Sequence, residues 1–542
     1  MRQSRSTLFR ADGGKPVLIQ IFLVVLFAVF FLNASPPRSK TPVADEVRRG
    51  FEAIRAQELQ ALLRFIAADE LEGRNTGTRG LKIAARFLES QYLLAGLTPA
   101  PGQESMLQTF QVVESKLHLD SGLTVSVQSS AVEREFRLFE NFVVTSQHAV
   151  PVQVRLPVLF AGFGFKDGDG HDDYRDLEPR GKILLVFDGS PGLTNLSQRP
   201  GRGRNRKLRT LRRSKAEWAR AAGAEALFHI NMNIDAESMG QMKRFLQRPR
   251  QRLAEQQPDL PQFIISKEVA DAILAHTGWS ADSLRTQMVA GKPPDHFDIG
   301  NVEIEITVKT HAVTKTTQNV VAYLAGSDPE LKHEVVAFGA HYDHIGMTGN
   351  GDIFNGADDD GSGTVAILEI ARAYAKNSVR PKRSLLFVSH AGEEKGLLGS
   401  RYYTSHPVLE LENTVALLNI DMIGRNDPNS VYIIGSNFLS RELHEICEKA
   451  NGVVALNLDY RYNDVEDPNR FYYRSDHYNY AKHGIPIIFY FSGLHEDYHR
   501  PTDTVDKIDS QKMQRIARLV YLTGWEVANL DHPLAKNGLL LE

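Results

Sequence analysis

Short apolar runs alternate with helical stretches over the C-terminal part of the chain. Five such runs follow residue 318, namely "NVVAYLAG", "EVVAFGA", "SLLFVSHA", "TVALLNI" and "PIIFYF". The stretches between them, such as "GTVAILEIARAYAK" and "SRELHEICEKAN", have the apolar spacing of helices. Alternating strands and helices predict an α/β fold, in which a mostly parallel central sheet carries helices on both faces.

Two other patterns precede this region. Residues 45–96 contain "VRRGFEAIRAQELQALLRFIA" and "GLKIAARFLESQYLLAGL", whose apolar spacing of three and four predicts helices. Residues 110–308 contain the strand-like runs "LTVSVQ", "PVLFAGFGF" and "GKILLVFDG", which predict a smaller β-rich unit. A basic insertion, "RPGRGRNRKLRTLRRSK" at residues 199–215, has no interleaved aromatics, so it is typical of a solvated loop; attraction to a membrane surface is the alternative.

The N-terminus carries an export signal or a membrane anchor. Four basic residues precede the apolar run "VLIQIFLVVLFAVFFL" at residues 17–32. Cleavage after Ala34 would put Leu32 where small residues are preferred, so an uncleaved membrane helix is favoured over a cleaved signal. The basic residues lie before the run, which predicts that the rest of the chain is exported. We therefore expect a membrane-anchored protein with a periplasmic or extracellular catalytic domain, or a secreted one if the segment is cleaved.

Composition narrows the chemistry. The 542 residues are 42% hydrophobic and 24% charged, as is ordinary for globular proteins, and the net charge of -3 does not favour a nucleic-acid partner. The single cysteine, Cys447, excludes an intrachain disulfide and a Cys-rich zinc site. Any metal ion must therefore be held by His, Asp and Glu.

Side chains that can bind a metal follow the predicted strands. They are His341 and Asp343 after "EVVAFGA", Glu393 and Glu394 after "SLLFVSHAG", Asp421 after "TVALLNI", His499 after "PIIFYF", and Asp358, Asp359 and Asp360 in the Gly-rich loop "GNGDIFNGADDDGSG". Open α/β sheets form their sites just beyond the carboxyl ends of strands. Taken alone, each of these residues is also compatible with a purely structural role. The adjacent carboxylates of Glu393 and Glu394, however, follow a buried strand and repel each other unless a cation neutralises them. Together they predict a metal site.

Five motifs also match a known family in order and spacing. "GAHYDH", "NGADDDGSG", "SHAGEEKGLLGS", "LLNIDMIGR" and "HRPTDT" resemble the co-catalytic dizinc aminopeptidases, relatives of glutamate carboxypeptidase, transferrin receptor and glutaminyl cyclase. The middle of the chain is similar to a protease-associated domain. The resemblance implies an anchor or signal with linker at 1–44, an N-terminal part of the catalytic domain at 45–140, an inserted protease-associated-like domain at 141–300, and the main catalytic part with the dizinc site at 301–542.

The resemblance also implies a role for each site residue. Asp358 would bridge two Zn²⁺ ions; His341 and Asp421 would complete one site, and Glu394 and His499 the other. Glu393 would be the general base, and Asp343 would orient the ring of His341. Tyr473, Tyr478 and Tyr490 are candidates for the pocket wall, and Asp476 and His477 for lining or bracing the site, with structural roles as the alternative.

The predicted function is an exported metallo-exopeptidase that hydrolyses peptides or proteins, most consistent with an aminopeptidase. The alternatives are a carboxypeptidase, a glutaminyl-cyclase-like acyl transferase with one zinc, and a non-catalytic receptor-like binding protein. A fourth is a single-zinc protease built on "HEDYH" at residues 495–499, which fits the H-E-x-x-H pattern. That pattern needs a helix, but Pro501 and "RPTD" predict a turn, so His495 and Glu496 are not expected to be catalytic.

Overall fold

The computed structural model describes residues 42–127, 133–146, 151–167, 171–190, 202–290 and 297–540. Within these ranges the α-helices are α1 (Asp45–Ala53), α2 (Ala56–Ile66), α3 (Arg79–Leu94), α4 (Arg202–Ala221), α5 (Ala236–Leu246), α6 (Lys267–Leu274), α7 (Ala281–Val289), α8 (Gly363–Lys376), α9 (Leu398–Ser405), α10 (Arg441–Val454), α11 (His477–Ala481) and α12 (Ser510–Asn529).

The strands within the same ranges are β1 (Leu107–Leu117), β2 (Gly122–Val127), β3 (Glu133–Arg137), β4 (Phe142–Val144), β5 (Val152–Phe160), β6 (Ile183–Phe187), β7 (Ala226–Asn231), β8 (Arg250–Leu253), β9 (Gln262–Ser266), β10 (Phe297–Val308), β11 (Thr310–Leu324), β12 (Val335–His341), β13 (Gly346–Met347), β14 (Ile353–Phe354), β15 (Ser384–His390), β16 (Thr414–Ile420), β17 (Ser430–Ile434), β18 (Asn457–Asp459) and β19 (Ile487–Phe491).

The larger sheet has the strand order β18-β17-β19-β16-β12-β15-β11-β1-β8. Its four central strands, β19, β16, β12 and β15, are mutually parallel. Outside them, β11, β1 and β8 pair antiparallel on one side, and β17 pairs antiparallel with β19 on the other. The prediction of a mostly parallel sheet is therefore correct only for the centre. One flank is antiparallel because β1 leads the chain out to the second sheet and β11 brings it back alongside.

Helices cover both faces of this sheet, as predicted. On β12, Val336 and Phe338 pack into a core with residues of α8 and α12, whereas Val335 and Ala337 pack into a second core with residues of α9 and α11. All residues of β12 are buried. A strand covered on both faces reads as a continuous apolar run, which is why its sequence does not alternate.

A second sheet, with the order β3-β2-β10-β5-β6-β7-β9-β4, is formed by the middle of the chain. Its strands lie between residues 122 and 308, so it begins upstream of residue 141. One strand of this region leaves it: β8 pairs with β1 at the edge of the larger sheet, with Val112 opposite Leu253. The chain therefore passes between the two sheets after β1, on both sides of β8, and between β10 and β11.

The basic insertion is helical where the structure describes it. Helix α4 covers residues 202–221, so the prediction of a solvated loop is wrong for 202–215, and residues 199–201 lie outside the described ranges. The helix follows from composition, since Arg, Lys, Leu and Ala are strong helix formers. Charge patterning alone does not separate a solvated helix from a solvated loop.

The predicted membrane anchor also needs correction. Among the helices of the described residues, none combines the length and apolar character required to cross a bilayer. The localisation as a membrane-anchored protein is therefore not upheld. The apolar run at residues 17–32, on which that prediction was based, lies outside the described ranges.

Candidate functional site

The carboxyl ends of the four central strands meet at one edge of the larger sheet. Strand β12 ends at His341, β15 leads into Glu393 and Glu394, β16 is followed by Asp421, and the segment after β19 carries His499. The side chains converge: Nε2 of His341 lies 3.6 Å from Oδ1 of Asp421 and 3.9 Å from Oε2 of Glu393. The structure thus brings five of the predicted residues into one site.

Asp359 lies at the centre of this site. Its Oδ1 is 3.3 Å from Nε2 of His341, and its Oδ2 is 3.1 Å from Nε2 of His499. His499 is in turn 3.2 Å from Oε2 of Glu394. The two carboxylate oxygens of Asp359 therefore face two different groups of donors, His341 with Asp421 and His499 with Glu394.

Asp358, which the resemblance placed at the bridge, points away from both groups. Its Oδ1 accepts a hydrogen bond from the backbone N–H of Gly424 at 2.6 Å, and its Oδ2 lies 3.3 Å from Nε2 of His495. In a turn of three consecutive aspartates, neighbouring side chains project in different directions. The turn thus presents Asp359 to the donors, and the assignment of the bridge to Asp358 needs this correction.

His344 is a further histidine at the site that the sequence reasoning missed. Its Nδ1 is 2.7 Å from Oε1 of Glu394 and 3.9 Å from Oδ2 of Asp359. The approach depends on Gly356, which has a φ of 57° and where a Cβ atom would lie 2.5 Å from the His344 ring. The signal was present in "GAHYDH", where His344 follows His341 by three residues beyond the same strand.

The donor set fits metal ions. Nε2 of His341, Nδ1 of His344, Oδ2 of Asp359 and Oε1 of Glu394 are buried and have no partner with hydrogen-bond geometry in the structure. Buried polar atoms are rarely left without a partner. Ligand atoms on a tetrahedron with bonds of about 2.0–2.1 Å are separated by about 3.3 Å, close to the separations in both groups. His, Asp and Glu donors in this arrangement suit zinc.

The electrostatics separate the carboxylates. Burial raises the pKa of Glu393 well above its usual range; the His341 ring opposes this shift, and Glu394 and Asp421 add to it. For Asp359, burial acts in the same direction, but the contacts with His341 and His499 hold the pKa well below the usual range. Asp359 therefore stays ionised, as a ligand must, whereas Glu393 has a high affinity for a proton.

Asp343 fixes the segments that carry the histidine and the base. Nδ1 of His341 lies 3.1 Å from the backbone carbonyl oxygen of Asp343, but 3.8 Å from its carboxylate. The carboxylate instead accepts hydrogen bonds from the hydroxyl of Thr76 at 2.9 Å and from the backbone N–H of Glu393 at 3.0 Å. The orienting contact to His341 is thus made by the backbone, and the side chain positions the start of the Glu393 segment.

Two more aspartates hold the turn around Asp359. Asp503, in "RPTDT", accepts the backbone N–H groups of Asp358 at 3.0 Å and Asp359 at 3.2 Å. Asp360 accepts the backbone N–H groups of His341 at 3.2 Å and Met422 at 3.0 Å. These bonds join the turn to the segments after β12, β16 and β19, so the bridge is positioned by the same backbone that supplies its neighbours.

A fully buried arginine holds the loops below the site. Arg74 donates from Nε to the carbonyl oxygen of Tyr342 at 2.8 Å, and from its terminal nitrogens to the carbonyl oxygens of Ile66, Asn355 and Gly356 at 2.5, 2.6 and 3.0 Å. Burial lowers the pKa of Arg74 to about 10, still well above neutral pH. The guanidinium therefore remains charged and joins chain segments far apart in sequence.

Replacing Arg74 with Met is expected to lower the free energy of unfolding by about 3–5 kcal/mol, because it leaves buried carbonyl oxygens without donors. Urea unfolding of the purified variant measures this. Arg64→Met, at an exposed position on α2, is the matched control and is expected to stay within about 0.5 kcal/mol of the parent. A loss below about 1 kcal/mol for Arg74→Met would contradict the assigned role.

The "HEDYH" segment does not form a zinc-binding helix. Residues 496–499 form turns after β19. The side chain of Glu496 is 79% exposed and lies 3.3 Å from Arg425, and His495 is buried against Asp358. His499 alone of this segment reaches the site, from a backbone with a φ of 57°. The exclusion of His495 and Glu496 from catalysis thus agrees with the geometry.

Three of the remaining candidates, Asp476, His477 and Tyr490, are fully buried. Asp476 and the ring of His390 are fully buried and 3.5 Å apart, and Nε2 of His477 contacts the carbonyl oxygen of Tyr472 at 2.8 Å. Tyr490 is buried in the core of β19, with its hydroxyl 3.6 Å from Sγ of Cys447. It therefore does not wall a pocket.

Residues 319–523 match the model of Peptidase family M28. The chain is 26% identical over 341 residues to a probable leucine aminopeptidase of Arthroderma benhamiae, covering 52% of this chain and 93% of that protein. It is 33% identical over 208 residues to a probable leucine aminopeptidase 2 of Aspergillus oryzae, covering 36% and 38%. An aminopeptidase from Aneurinibacillus sp. strain AM-1 shares the fold, with a TM-score of 0.52, 18% identity, and coverage of 91% of this chain and 98% of that one.

Proposed function

Because residues 319–523 of this chain belong to peptidase family M28, we propose that the protein is a zinc aminopeptidase that releases N-terminal residues, leucine among them, from peptides. The observation that carries the proposal is the carboxylate of Asp359, whose two oxygens face two separate groups of histidine and carboxylate donors. A bridging carboxylate between two such groups suits two-metal hydrolysis. The leucine preference rests on the names of the similar proteins.

Two sets of residues would hold the zinc ions. The first is His341, Asp359 and Asp421; the second is Asp359 and Glu394 with His344 or His499. When bound, the two ions would supply a water of lowered pKa and a positive charge beside the peptide carbonyl. The chain's part is to keep Asp359 and Glu394 ionised, since their contacts with histidines lower the pKa of both carboxyl groups, and to leave room for the water and substrate.

Glu393 is placed to move the proton. Its carboxylate lies beside His341, with its backbone N–H fixed by Asp343. It would accept a proton from the attacking water as the new carbon–oxygen bond forms. It would then deliver that proton to the nitrogen of the leaving amine as the carbon–nitrogen bond breaks. A positioned base of this kind contributes about 10²–10⁴-fold to the rate.

The middle of the chain is proposed to be a protease-associated-like domain inserted into the catalytic domain. The supporting observations are the run "LFAGFGF" at the end of β5, "GKILLVFDG" around β6, and "AEWARAAGAEALFHI" from α4 into β7. The catalytic domain would then consist of an N-terminal part up to β1 and a main part from β11 onward. Strand β8 is the exception, because it pairs with β1.

Aminopeptidase action requires a free α-amine on the substrate. We expect purified protein with zinc to hydrolyse leucine p-nitroanilide, and to leave N-acetyl-leucine p-nitroanilide intact. Mass spectrometry of a longer peptide is expected to show residues lost successively from the N-terminus. Loss from the C-terminus would favour the carboxypeptidase alternative, and cyclisation of an N-terminal glutamine without peptide cleavage would favour the acyl transferase.

Metal removal is expected to abolish the activity and to lower the thermal midpoint of unfolding. The physical reason is that the buried carboxylates Asp359, Glu394 and Asp421 repel one another once the cations have left. Dialysis against 1,10-phenanthroline, zinc analysis by mass spectrometry and differential scanning fluorimetry test this. About two zinc ions per chain are expected before dialysis, and one would favour the single-zinc alternative. Full activity in metal-free protein would contradict the proposed chemistry.

A further inference from the structure

A basic cleft of about 1070 Å³ adjoins the candidate site. One wall comes from α4, α5 and β8, and the other from the segment after Glu394, from α9 and from residues 469–474. Eight arginine or lysine side chains line it, against two carboxylates, Glu217 and Asp259. The chain as a whole carries a net charge of -3. The positive charge is therefore a local property of this cleft.

One wall of the cleft is formed by the loops that also carry site residues. Lys395, on its wall, directly follows Glu394, and Arg474, on the same wall, precedes Asp476 by two residues. A peptide with its end at Glu393 would continue along this wall.

Several of the basic groups lack an acidic partner. Among the described residues, Arg401, Arg470 and Arg474 have no carboxylate within ion-pair distance. Arg401 is half-buried and donates only to Oε1 of Gln256 at 3.4 Å and to the carbonyl oxygen of Gly396 at 3.2 Å. Its pKa is lowered by burial and by the charge of Arg213 across the cleft, and the carboxylate of Asp259 opposes this shift. Arg401 thus lies near a second cation, Arg213, and only part of the positive charge of the cleft is neutralised, by Asp259 and by the pairing of Arg213 with Glu217.

Two of the arginines are also held in place by aromatic rings. The guanidinium of Arg470 lies 4.2 Å from the ring centroid of Tyr473, and that of Arg474 lies 5.0 Å from that of Phe471. Stacking fixes the plane of a guanidinium and leaves its N–H edge free for a carboxylate. An arginine fixed in this way loses less rotamer entropy when it binds, so the cleft is arranged for planar anions.

We propose that this cleft binds acidic residues of peptide substrates downstream of the bond that is cut. It would make the enzyme prefer peptides with Asp or Glu a few positions beyond the N-terminal residue. The inference rests on the proposed function, since it takes the substrate to be a peptide whose free end lies at Glu393. Paired carboxylate and guanidinium groups form bidentate, charge-assisted hydrogen bonds, which supply both affinity and selectivity.

The test compares two C-terminally amidated peptides, LGGDED and LGGNQN, which share an N-terminus and differ only in side-chain charge. With the full chain and zinc, kcat/KM is expected to be about tenfold higher for LGGDED, through a lower KM, and the ratio is expected to fall as salt is raised. The double substitution Arg401→Gln with Arg474→Gln is expected to bring the ratio close to one. Arg64→Gln, an exposed arginine outside the cleft, is expected to keep the ratio of the parent.

A ratio near one in the parent protein, or an unchanged ratio in the double variant, would overturn the proposal. Binding of fluorescein-labelled LGGDED to the Glu393→Gln variant, followed by anisotropy, separates it from the proposed function. Charge-dependent binding of LGGDED, together with no hydrolysis of any peptide by the parent protein, would contradict the proposed function but not the proposed role of the cleft. Tighter binding of a single-stranded oligonucleotide than of LGGDED at the same arginines would overturn the peptide assignment.

Discussion

Replacing Glu393 with Gln is expected to lower kcat on leucine p-nitroanilide by about 10²–10⁴-fold. Glutamine has nearly the shape of glutamate but cannot take a proton from water, so the proton transfer is lost while the site keeps its form. Zinc content is expected to stay at about two ions per chain, because the metal donors, Asp359 among them, are unchanged. KM is expected to change by less than about threefold, since Glu393 acts mainly in the transition state.

The matched control is Glu496→Gln. Glu496 is the glutamate that an H-E-x-x-H protease would use as its base, but its side chain is 79% exposed and pairs with Arg425. We expect the kcat of this variant to equal that of the parent. If Glu496→Gln lost activity and Glu393→Gln kept it, both the position of the base and the two-metal interpretation would have to be abandoned.

The second large effect is expected for a substitution of Asp359, the proposed bridging residue. Asp359→Asn removes the negative charge whose oxygens face both donor groups, His341 on one side and His499 on the other. We expect zinc to fall to one ion per chain or fewer, and kcat/KM to fall by more than about 100-fold. Metal analysis by mass spectrometry after gel filtration measures the first effect, and assay in excess zinc measures the second.

Asp358→Asn is the control that decides between the two neighbouring aspartates. The amide oxygen of asparagine can still accept the N–H of Gly424, which Asp358 now does at 2.6 Å. We therefore expect this variant to keep two zinc ions and most of its activity. Loss of zinc in Asp358→Asn but not in Asp359→Asn would restore the assignment that the resemblance implied.

Much of the site could be predicted because chemistry and topology pointed to the same places. Apolar runs located the central strands, and the residues just after them, His341, Glu393, Glu394 and Asp421, lie together in the structure. The rule that sites form at the carboxyl ends of parallel strands does this without any knowledge of side-chain geometry. It works best where a strand is buried on both faces, since only there is the apolar run continuous.

The bridge could not be placed because direction matters within a turn. "DDD" supplies three chemically identical side chains, and composition or spacing does not say which one faces the metals. The answer depends on the carboxylate of Asp503, far along the chain, which accepts hydrogen bonds from the backbone N–H groups of Asp358 and Asp359. His344 was missed for a related reason: its ring enters the site only because Gly356 leaves space for it. Both depend on tertiary contacts, which the spacing of residues in the sequence does not reveal.

The antiparallel flank of the sheet escaped prediction on different grounds. The sequence patterns of β1 and β11 predict strands regardless of which strands they pair with. The direction of pairing, in contrast, follows from the path of the chain. After the second sheet the chain returns, so that β1 and β11 are neighbours that run in opposite directions, with Leu107 opposite Val320. Sequence patterns indicate where strands lie, but the path of the chain through the second sheet decides which strands meet.

Strand β8 has a consequence for the kind of peptide that can be trimmed. Because β8 is hydrogen-bonded to β1, the part of the cleft that carries Arg250 is built into the catalytic sheet. The two walls of the cleft cannot move apart without breaking the hydrogen bonds between β8 and β1. A polypeptide substrate therefore has to enter the cleft with a flexible, extended N-terminus. Folded proteins whose N-terminal residues pack against the rest of the molecule are expected to resist digestion until they are unfolded or cleaved by another protease. This enzyme would therefore act after other proteases rather than before them.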